Sequence, residues 1–264
     1  MKVVLFCGGL GTRLGDLPGR VPKPMVNIGY RPILWHIMKY YAHFGHKDFI
    51  LCLGYRADVI KQFFLEYDPC LSSDFTLHNG KREMHLQESD IADWRITCVD
   101  TGLGSNIGQR LRAVESLVKD EEYFLANYAD GLTDLPLPSM IDCLRKSGKV
   151  ASFICVKPSQ TFSVVSLGKG DAVERIDYVR DTNITINGGY FVLRNDIFRY
   201  IRDGEELVVE AFERLIKENR LLGYQYSGFW YCMDTFKEQQ ELNDMFERGK
   251  APWVVWKSSS MPSL

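Results

Sequence analysis

The chain has 264 residues, 45% of them hydrophobic and 25% charged, which is enough for one large α/β domain or two small ones. Its 32 basic and 34 acidic residues give a formal net charge of −2, whereas a protein that coats nucleic acid is clearly basic, so we expect no nucleic-acid partner. No apolar run approaches the roughly 20 residues that span a bilayer, so we expect no membrane segment. The seven cysteines are widely spaced and form no C-x-x-C pair, which favours reduced thiols and a cytoplasmic location.

Strand-like and helix-like segments alternate through the first 160 residues. This β-α-β-α order predicts an α/β fold with a Rossmann-like, doubly wound and mostly parallel sheet. The predicted strands are Lys2–Cys7, Asp48–Leu53, Arg95–Asp100, Tyr123–Asn127 and Val150–Val156. Apolar residues at helical spacing predict helices over 33–44, Ala57–Phe64 and 107–118, and another helix after Pro138.

Two segments interrupt this alternation. Residues 74–86 alternate around Asn79-Gly80 and predict an inserted hairpin. From residue 157 the pattern predicts a small β-rich region with strands Phe162–Leu167, Ala172–Asp177 and Thr185–Leu193, and then helices near Asp196–Ile201, Val208–Glu218 and Phe236–Arg248. No linker divides the chain, so we predict one domain over 1–256, made of a first part over 1–156, a second part over 157–235 and a C-terminal helix over 236–248, with a tail over 257–264.

A glycine-rich turn directly follows the first strand, in Gly8-Gly9-Leu10-Gly11-Thr12-Arg13-Leu14. Glycines there let the backbone approach phosphates closely, and an arginine can donate to phosphate oxygens through two bonds at once. Pro22-Lys23-Pro24-Met25 comes shortly afterwards, and its prolines stiffen the loop that carries Lys23. The turn taken alone fits a plain tight turn as well, but the added Arg13 and Lys23 favour a polyphosphate site.

Two familiar nucleotide-binding patterns fail in this region. The dinucleotide fingerprint G-x-G-x-x-G would need glycine at Leu14, and no acidic residue ends the second strand. The P-loop pattern G-x-x-x-x-G-K-[ST] is absent. An NAD-linked oxidoreductase is therefore disfavoured.

Together the two segments, G-G-L-G-T-R-L and P-K-P-M, resemble the signature of the sugar-1-phosphate nucleotidyltransferase family. The resemblance is strongest to its glucose-1-phosphate cytidylyltransferase branch and covers roughly residues 1–256. The matching segments, in chain order, are P-I-L-W-H-I-M-K at 32–39, V-D-T-G at 99–102, I-N-G-G-Y-F at 186–191, G-F-W at 228–230, M-D-T at 233–235 and G-K-A-P-W at 249–253.

The resemblance implies which residues bind the nucleotide and which act in catalysis. It implies catalytic roles for Arg13 and Lys23. The nucleotide-binding residues that it implies are Leu5, Gly8, Gly9, Gly11, Thr12, Arg13, Thr101, Gly102, Gln109 and Arg110. Arg110 lies on a predicted helix, so a solvent-facing role fits its position equally well.

A metal site is expected at two aspartates. Asp130 follows an apolar strand, at the sheet edge where open α/β folds bind ligands, although a turn or helix-cap role fits it too. By resemblance, Asp130 and Asp234 are the family's two magnesium ligands. Mg²⁺ prefers hard oxygen ligands, usually one or two carboxylates plus phosphates, which suits this pair.

The acceptor side departs from the family pattern. The family usually has an E-K-P element before I-N-G-G, whose lysine holds the sugar phosphate, and residues 173–180 contain no lysine. We expect Asn187, Gly188, Arg175 and Arg180 to bind the acceptor, although Arg and Lys are not geometrically equivalent and Asn187 could be a plain turn residue. We therefore hypothesise an acceptor other than plain glucose 1-phosphate.

The predicted activity is transfer of a nucleoside monophosphate to a phosphorylated sugar or related metabolite, with release of pyrophosphate. The resemblance favours CTP as donor, with UTP or dTTP as alternatives, Mg²⁺ as cofactor and a homo-oligomeric assembly. The missing lysine leaves open a non-catalytic or regulatory nucleotide-binding protein on the same fold, since fold alone does not fix function.

Overall fold

The computed structural model describes residues 1–9, 21–72, 90–159 and 162–256, and the backbone of residues 75–78 and 81–86. Its strands are β1 Lys2–Phe6, β2 Asn27–Ile28, β3 Arg31–Pro32, β4 Asp48–Leu53, β5 Phe75–His78, β6 Lys81–Leu86, β7 Arg95–Asp100, β8 Tyr123–Asn127, β9 Gly131–Thr133, β10 Ala151–Val156, β11 Ser163–Leu167, β12 Val173–Tyr178, β13 Ile186–Arg194, β14 Leu221–Gln225 and β15 Trp230–Cys232. The α-helices are α1 Ile33–His43, α2 Ala57–Leu65, α3 Ile107–Ala113, α4 Glu115–Val118, α5 Leu137–Ser147, α6 Phe212–Lys217 and α7 Phe236–Glu247.

A seven-stranded sheet forms the centre, in the order β14-β10-β13-β8-β1-β4-β7. β1 runs parallel to β4 and β8, β4 runs parallel to β7, and β10 runs parallel to β14. β13 is antiparallel to both of its neighbours, β8 and β10. The predicted α/β fold with a mostly parallel sheet is therefore confirmed, with one reversed strand inside it.

Both faces of the sheet are covered at its centre, which explains why the central strand β1 is almost wholly apolar. Val3 and Leu5 of β1 belong to one core cluster, which also contains buried residues of α1 and α5. Val4 and Phe6 belong to the opposite cluster, together with residues of α3 and α6. Successive side chains of a strand point to opposite faces, so a strand covered on both sides needs apolar residues at every position.

The β-rich region predicted from residue 157 needs one correction. Its third strand, expected at 185–193, is β13, which enters the central sheet between β10 and β8. Only β11 and β12 stand apart, as a separate antiparallel ribbon. A sequence of short strands does not reveal which sheet each of them joins, because pairing depends on contacts that are distant along the chain.

Other predictions can be compared segment by segment. The inserted hairpin is confirmed by antiparallel β5 and β6, while its turn at Asn79-Gly80 lies outside the described residues, as does the tail over 257–264. The helix expected near Asp196–Ile201 is a short 3₁₀ helix, Asn195–Arg199. The single helix expected over 208–218 is a π-helical turn, Leu207–Ala211, continued by α6. None of the helices that the structure describes combines the length and apolar character needed to cross a bilayer.

Aromatic packing holds the C-terminal segment against α1. His36 of α1 is fully buried, its Nε2 lies 2.9 Å from the carbonyl oxygen of Ile28, and Trp253 Nε1 lies 3.4 Å from its Nδ1. Burial lowers the pKa of His36 to about 4, even though the backbone hydrogen bond opposes that shift. The ring is therefore neutral near pH 7, donating through Nε2–H and accepting at Nδ1.

This burial predicts acid-sensitive stability. The pKa of His36 is lower in the folded chain than the ordinary value of about 6.5, so below that pH the unfolded chain binds more protons. We expect the free energy of unfolding to fall as pH decreases from about 6.5 towards 4, by roughly 3 kcal/mol from this residue. Denaturant unfolding against pH should show a shallower slope for His36→Gln. The control is His43→Gln, at the exposed end of the same helix; equal slopes for wild type and His36→Gln would contradict the assignment.

Candidate functional site

Two three-residue strands place a pair of carboxylates next to each other. β9 and β15 pair antiparallel, with Gly131 opposite Cys232. Asp130 directly precedes β9 and Asp234 lies two residues after the end of β15, so the ladder holds them side by side although they are distant in sequence. A further hydrogen bond of 2.9 Å from the Met233 amide to the Asp130 carbonyl extends the pairing.

Local backbone features aim each carboxylate. Ala129 adopts a left-handed conformation with φ of 62°, supported by its amide donating to Asn127 Oδ1 at 2.7 Å. Asp234 stands just before the N-cap of α7, where the Thr235 and Glu238 side chains form a reciprocal capping box. Glu238 also accepts from the Asp234 amide at 2.7 Å. A strained residue at a ligand edge is a recognised mark of a functional site.

Lys23 reaches this pair from the other end of the chain. It begins a short 3₁₀ helix, Lys23–Met25, between the buried Pro22 and Pro24. Its Nζ donates to Asp130 Oδ2 at 2.8 Å and to Asp234 Oδ1 at 2.6 Å. Burial opposes the charge on Lys23, but the neighbouring Asp130, together with Cys232 and the two hydrogen bonds, raises its pKa above the ordinary value. Lys23 is therefore an ammonium ion throughout the physiological range.

Cys232 completes the cluster. Its thiol is buried, and Sγ lies 3.6 Å from Asp234 Oδ2. One ligand atom from each of Asp130, Cys232 and Asp234 lies within 4.8 Å of the others. Burial, followed by the negative charge of Asp130, raises the pKa of the thiol, which stays protonated. The two carboxylates are thus the hard oxygen ligands that suit Mg²⁺, and the neutral thiol is a poor ligand for it.

The expected nucleotide side is described only in part. Gly11, Thr12 and Arg13 lie outside the described residues, while Gly8 and Gly9 follow β1 directly. The side chain of Leu5 is fully buried in the core, where it supports this edge of the sheet, and its role in nucleotide binding stays a prediction.

The loop after β7 and helix α3 complete this edge. Thr101 and Gly102 follow β7, and Gly102 has φ of 91°, a conformation that suits glycine. The Gln109 side chain takes part in the capping box at the start of α3.

Arg110 has a different environment from the one expected. Only 3% of the residue is exposed, and its guanidinium donates to the carbonyl oxygens of Gly8 and Leu53 at 3.0 and 3.1 Å and to Thr101 Oγ1 at 2.7 Å. These bonds tie together the ends of β1, β4 and β7. We therefore interpret Arg110 as a buried brace that joins these strand ends, and its role in nucleotide binding stays a prediction.

On the acceptor side, the structure separates the four expected residues into two groups. Asn187 Nδ2 lies 3.2 Å from the hydroxyl of Tyr128, and Gly188 accepts a hydrogen bond of 2.8 Å from Trp230 Nε1. Tyr128 and Trp230 lie next to the carboxylate-bearing loops, so Asn187 and Gly188 belong to the same region as the cluster. A side chain at position 188 would meet Ile154 at 2.7 Å, which explains the glycine.

The two arginines lie on or beside the β11–β12 ribbon. Arg175 forms an ion pair with Asp177, and Arg180 lies 5.2 Å from the centre of the Tyr178 ring. Within the described residues, no hydrogen bond or ion pair connects either arginine to Lys23, Asp130 or Asp234. The structure therefore gives neither arginine a place in the cluster, because each engages a neighbour on its own segment.

Sequence reasoning missed Tyr128, Cys232 and Trp230. Tyr128 stands two positions before Asp130, and Cys232 two before Asp234, so proximity to the predicted ligands was the available signal. Trp230 was matched only as part of the G-F-W segment, and its bond to Gly188 depends on the pairing of β15 with β9, which no periodicity indicates.

Comparisons with known proteins agree with this geometry. Residues 2–238 match the model of the nucleotidyl transferase family. The chain is 39% identical to a glucose-1-phosphate cytidylyltransferase of Salmonella typhimurium (strain LT2) over 97% of this chain and 100% of that protein. It is 35% identical to a probable glucose-1-phosphate cytidylyltransferase of Bacillus subtilis (strain 168) over 97% of this chain and 100% of that one.

Among solved structures, a putative glucose-1-phosphate thymidylyltransferase from Bacillus anthracis has a similar fold, with a TM-score of 0.68, 15% identity and coverage of 98% of both chains. A UDP-glucose pyrophosphorylase complexed with UDP-glucose aligns with a TM-score of 0.67 at 18% identity, covering 94% of this chain and 98% of the other.

The brace formed by Arg110 predicts different outcomes at two adjacent glycines. A Cβ atom on Gly8 would lie 2.0 Å from Arg110 Nη1, whereas one on Gly9 would meet nothing within 4 Å. We expect Gly8→Ala to displace the guanidinium and lower the free energy of unfolding by about 2 kcal/mol. Gly9→Ala is the matched control and should change stability by less than about 0.5 kcal/mol. Equal denaturant midpoints for the two variants would show that Arg110 does not brace this turn.

Proposed function

This chain belongs to the nucleotidyl transferase family, in its sugar-1-phosphate branch, and on that premise we propose that it transfers CMP from CTP to a sugar 1-phosphate or related phosphorylated metabolite and releases pyrophosphate. The observation that carries this proposal is the contact of Lys23 with both Asp130 and Asp234. A single cationic group between two carboxylates, at the edge of a parallel sheet, is suited to holding phosphates and a divalent cation.

The reaction needs positioning and charge neutralisation more than acid–base chemistry. An oxygen of the acceptor phosphate attacks the α-phosphorus of the nucleotide in line, the bond to the β-phosphate oxygen breaks, and pyrophosphate leaves. The phosphate dianion is already a nucleophile, so no general base is required. We assign to Lys23 the neutralisation of charge at the α-phosphate or the acceptor phosphate, and to the glycine turn with Arg13 the binding of the β- and γ-phosphates.

Asp130 and Asp234 are the residues that would hold Mg²⁺. When bound there, the ion would neutralise phosphate charge and orient the phosphate oxygens. The fit rests on the carboxylate oxygens of this cluster, which lie within 4.8 Å of one another. Retention of both carboxylates and the lysine favours an enzyme over a protein that only binds nucleotide.

The acceptor is the finer part of the proposal. The relatives named as glucose-1-phosphate cytidylyltransferases favour CTP and a hexose phosphate, with UTP or dTTP as alternative donors. The E-K-P lysine is missing, and Arg175 and Arg180 engage neighbours on their own segment. We propose that plain glucose 1-phosphate is a poor acceptor. A panel of sugar phosphates assayed with CTP tests this, and rapid formation of CDP-glucose would reject the acceptor assignment while leaving the transferase assignment intact.

The role of Lys23 predicts a loss of activity without a loss of fold. Lys23→Ala should lower kcat/KM for pyrophosphate release from CTP by about a hundredfold or more, because charge neutralisation in the transition state is lost. The matched control is Lys39→Ala, which removes a similarly half-buried lysine paired with Asp90 elsewhere in the chain. Circular dichroism should be unchanged for both variants. Near-normal kcat in Lys23→Ala would reject its role.

We also propose that the protein acts in the cytoplasm as a homo-oligomer. None of the seven cysteines is disulfide-bonded, which suits a reducing compartment. Apolar side chains dominate one face of the β11–β12 ribbon, on which Ser163 also lies; those that are about half exposed there are Val165, Leu167, Val173, Ile176 and Tyr178.

We propose that a second copy of this chain packs on the apolar face of the ribbon. Exposed apolar side chains that cluster in one patch are typical of an interaction site. The charged residues Arg175 and Asp177 lie on the opposite face. Two copies can therefore stack these faces while Arg175 and Asp177 stay outside the contact, and such a contact is self-complementary.

The ribbon contact predicts an effect on oligomeric state. Ile176→Asp places a charge in the centre of the apolar face and should reduce the sedimenting mass to that of the 30.3 kDa chain. Ser166→Asp places the same charge on the opposite face and should leave the assembly intact. Analytical ultracentrifugation measures both. Identical masses for the two variants would exclude this ribbon as the interface.

A further inference from the structure

Lys23 occupies the space between the two proposed metal ligands. Its Nζ lies 2.8 Å from Asp130 Oδ2 and 2.6 Å from Asp234 Oδ1, and the three side chains are 15%, 26% and 24% exposed. These are the lengths of charge-assisted hydrogen bonds. The ammonium therefore places a positive charge between the two carboxylates before any metal ion binds.

The contact competes with a divalent cation that would bind the same two oxygens directly. Mg²⁺ coordinates carboxylate oxygens at about 2.0–2.1 Å, and a second cation in hydrogen-bond contact with those oxygens would lie only a few ångströms away. In a partly buried site, repulsion between the two cations is weakly screened. Pro22 and Pro24 are buried and fix the backbone of this segment, so the exchange must come from rotation of the long Lys23 side chain.

We propose that Lys23 is the resident counter-ion of the Asp130–Asp234 pair, and that a divalent cation binds the pair tightly only when a phosphate anion draws the ammonium away. This inference rests on the proposed function, in which that phosphate belongs to the nucleoside triphosphate or the acceptor. Lys23 would then have two successive partners, the carboxylates before the nucleotide arrives and the phosphate afterwards. The lysine thereby links metal binding to nucleotide binding. Without a phosphate anion, the site binds divalent cations weakly.

Mn²⁺ binding without nucleotide or acceptor tests the proposal directly. Electron paramagnetic resonance of free Mn²⁺ gives the dissociation constant for wild type and for Lys23→Met, which keeps the length of the side chain and removes the charge. We expect Lys23→Met to bind Mn²⁺ about tenfold more tightly than wild type, because the competing cation is gone. Lys39→Met is the matched control, since Lys39 lies 3.8 Å from the Asp90 carboxylate with similar exposure, and it should bind Mn²⁺ as wild type does.

Two further measurements locate the effect and guard against misfolding. Adding Asp130→Asn to Lys23→Met should abolish the gain in Mn²⁺ affinity, and Lys23→Gln replaces the methionine variant if that one does not fold. Mn²⁺ alone should raise the melting temperature of the lysine variant and leave that of wild type nearly unchanged. Equal Mn²⁺ affinity in wild type and both Lys23 variants would overturn the proposal. Since no turnover is measured, failure of the proposed CMP transfer would not alter these results.

Discussion

The structure depends on one electrostatic constraint, the need to hold two carboxylates close together at the edge of the sheet. Like charges at this separation repel, and the partly buried site screens them weakly. The ammonium group of Lys23, from a distant segment, offsets this repulsion, and the backbone pairing between β9 and β15 holds the two carboxylates in place. Packing of the P-K-P-M segment, the ladder of the two short strands and the cap of α7 all serve to keep these three charged groups in contact.

The surrounding elements have separate tasks in this arrangement. The parallel strands β1, β4 and β7 end side by side, and buried Arg110 joins their ends by donating to the carbonyl oxygens of Gly8 and Leu53 and to Thr101 Oγ1. A buried guanidinium without a carboxylate partner among its described contacts keeps its positive charge at the edge where phosphates are expected to bind. The guanidinium donates hydrogen bonds to uncharged oxygen atoms, which stabilise its positive charge without neutralising it.

Much of the fold could be predicted because its central strands have a strong local signal. β4, β7 and β8 were predicted with the bounds they have. β4 and β8 are buried and largely apolar, and the edge strand β7 has apolar and β-branched residues between its charged ends. β9, β14 and β15 were missed, because they are short or contain glycine and show no alternation. β13 was found, but its reversed place in the central sheet was not, since pairing is fixed by contacts far along the chain.

The residues of the candidate site divide in the same way, into those with a local sequence signal and those that depend on contacts distant along the chain. Lys23 was found from its stiff loop and Asp130 from its place at a strand end, but Asp234 came only from family resemblance. Its approach to Asp130 is created by a three-residue ladder, for which no local pattern exists. Arg110 also came from family resemblance, and its helical position suggested only a solvent-facing alternative. Burial of a charged side chain cannot be seen in periodicity, because it depends on which oxygen atoms the fold brings around it.

The short ladder between β9 and β15 has a consequence for how this protein could change over evolution. Asp130 and Asp234 are fixed to each other through backbone bonds, and the contacts of the β11–β12 ribbon do not enter that ladder. Substitutions on the ribbon can therefore alter the shape and charge presented to a new substrate while the phosphate-handling centre keeps its geometry. Residues 173–180 lack the lysine of the family's E-K-P element, whereas Lys23, Asp130 and Asp234 are all present. This combination is expected if the ribbon and the charged cluster can change independently.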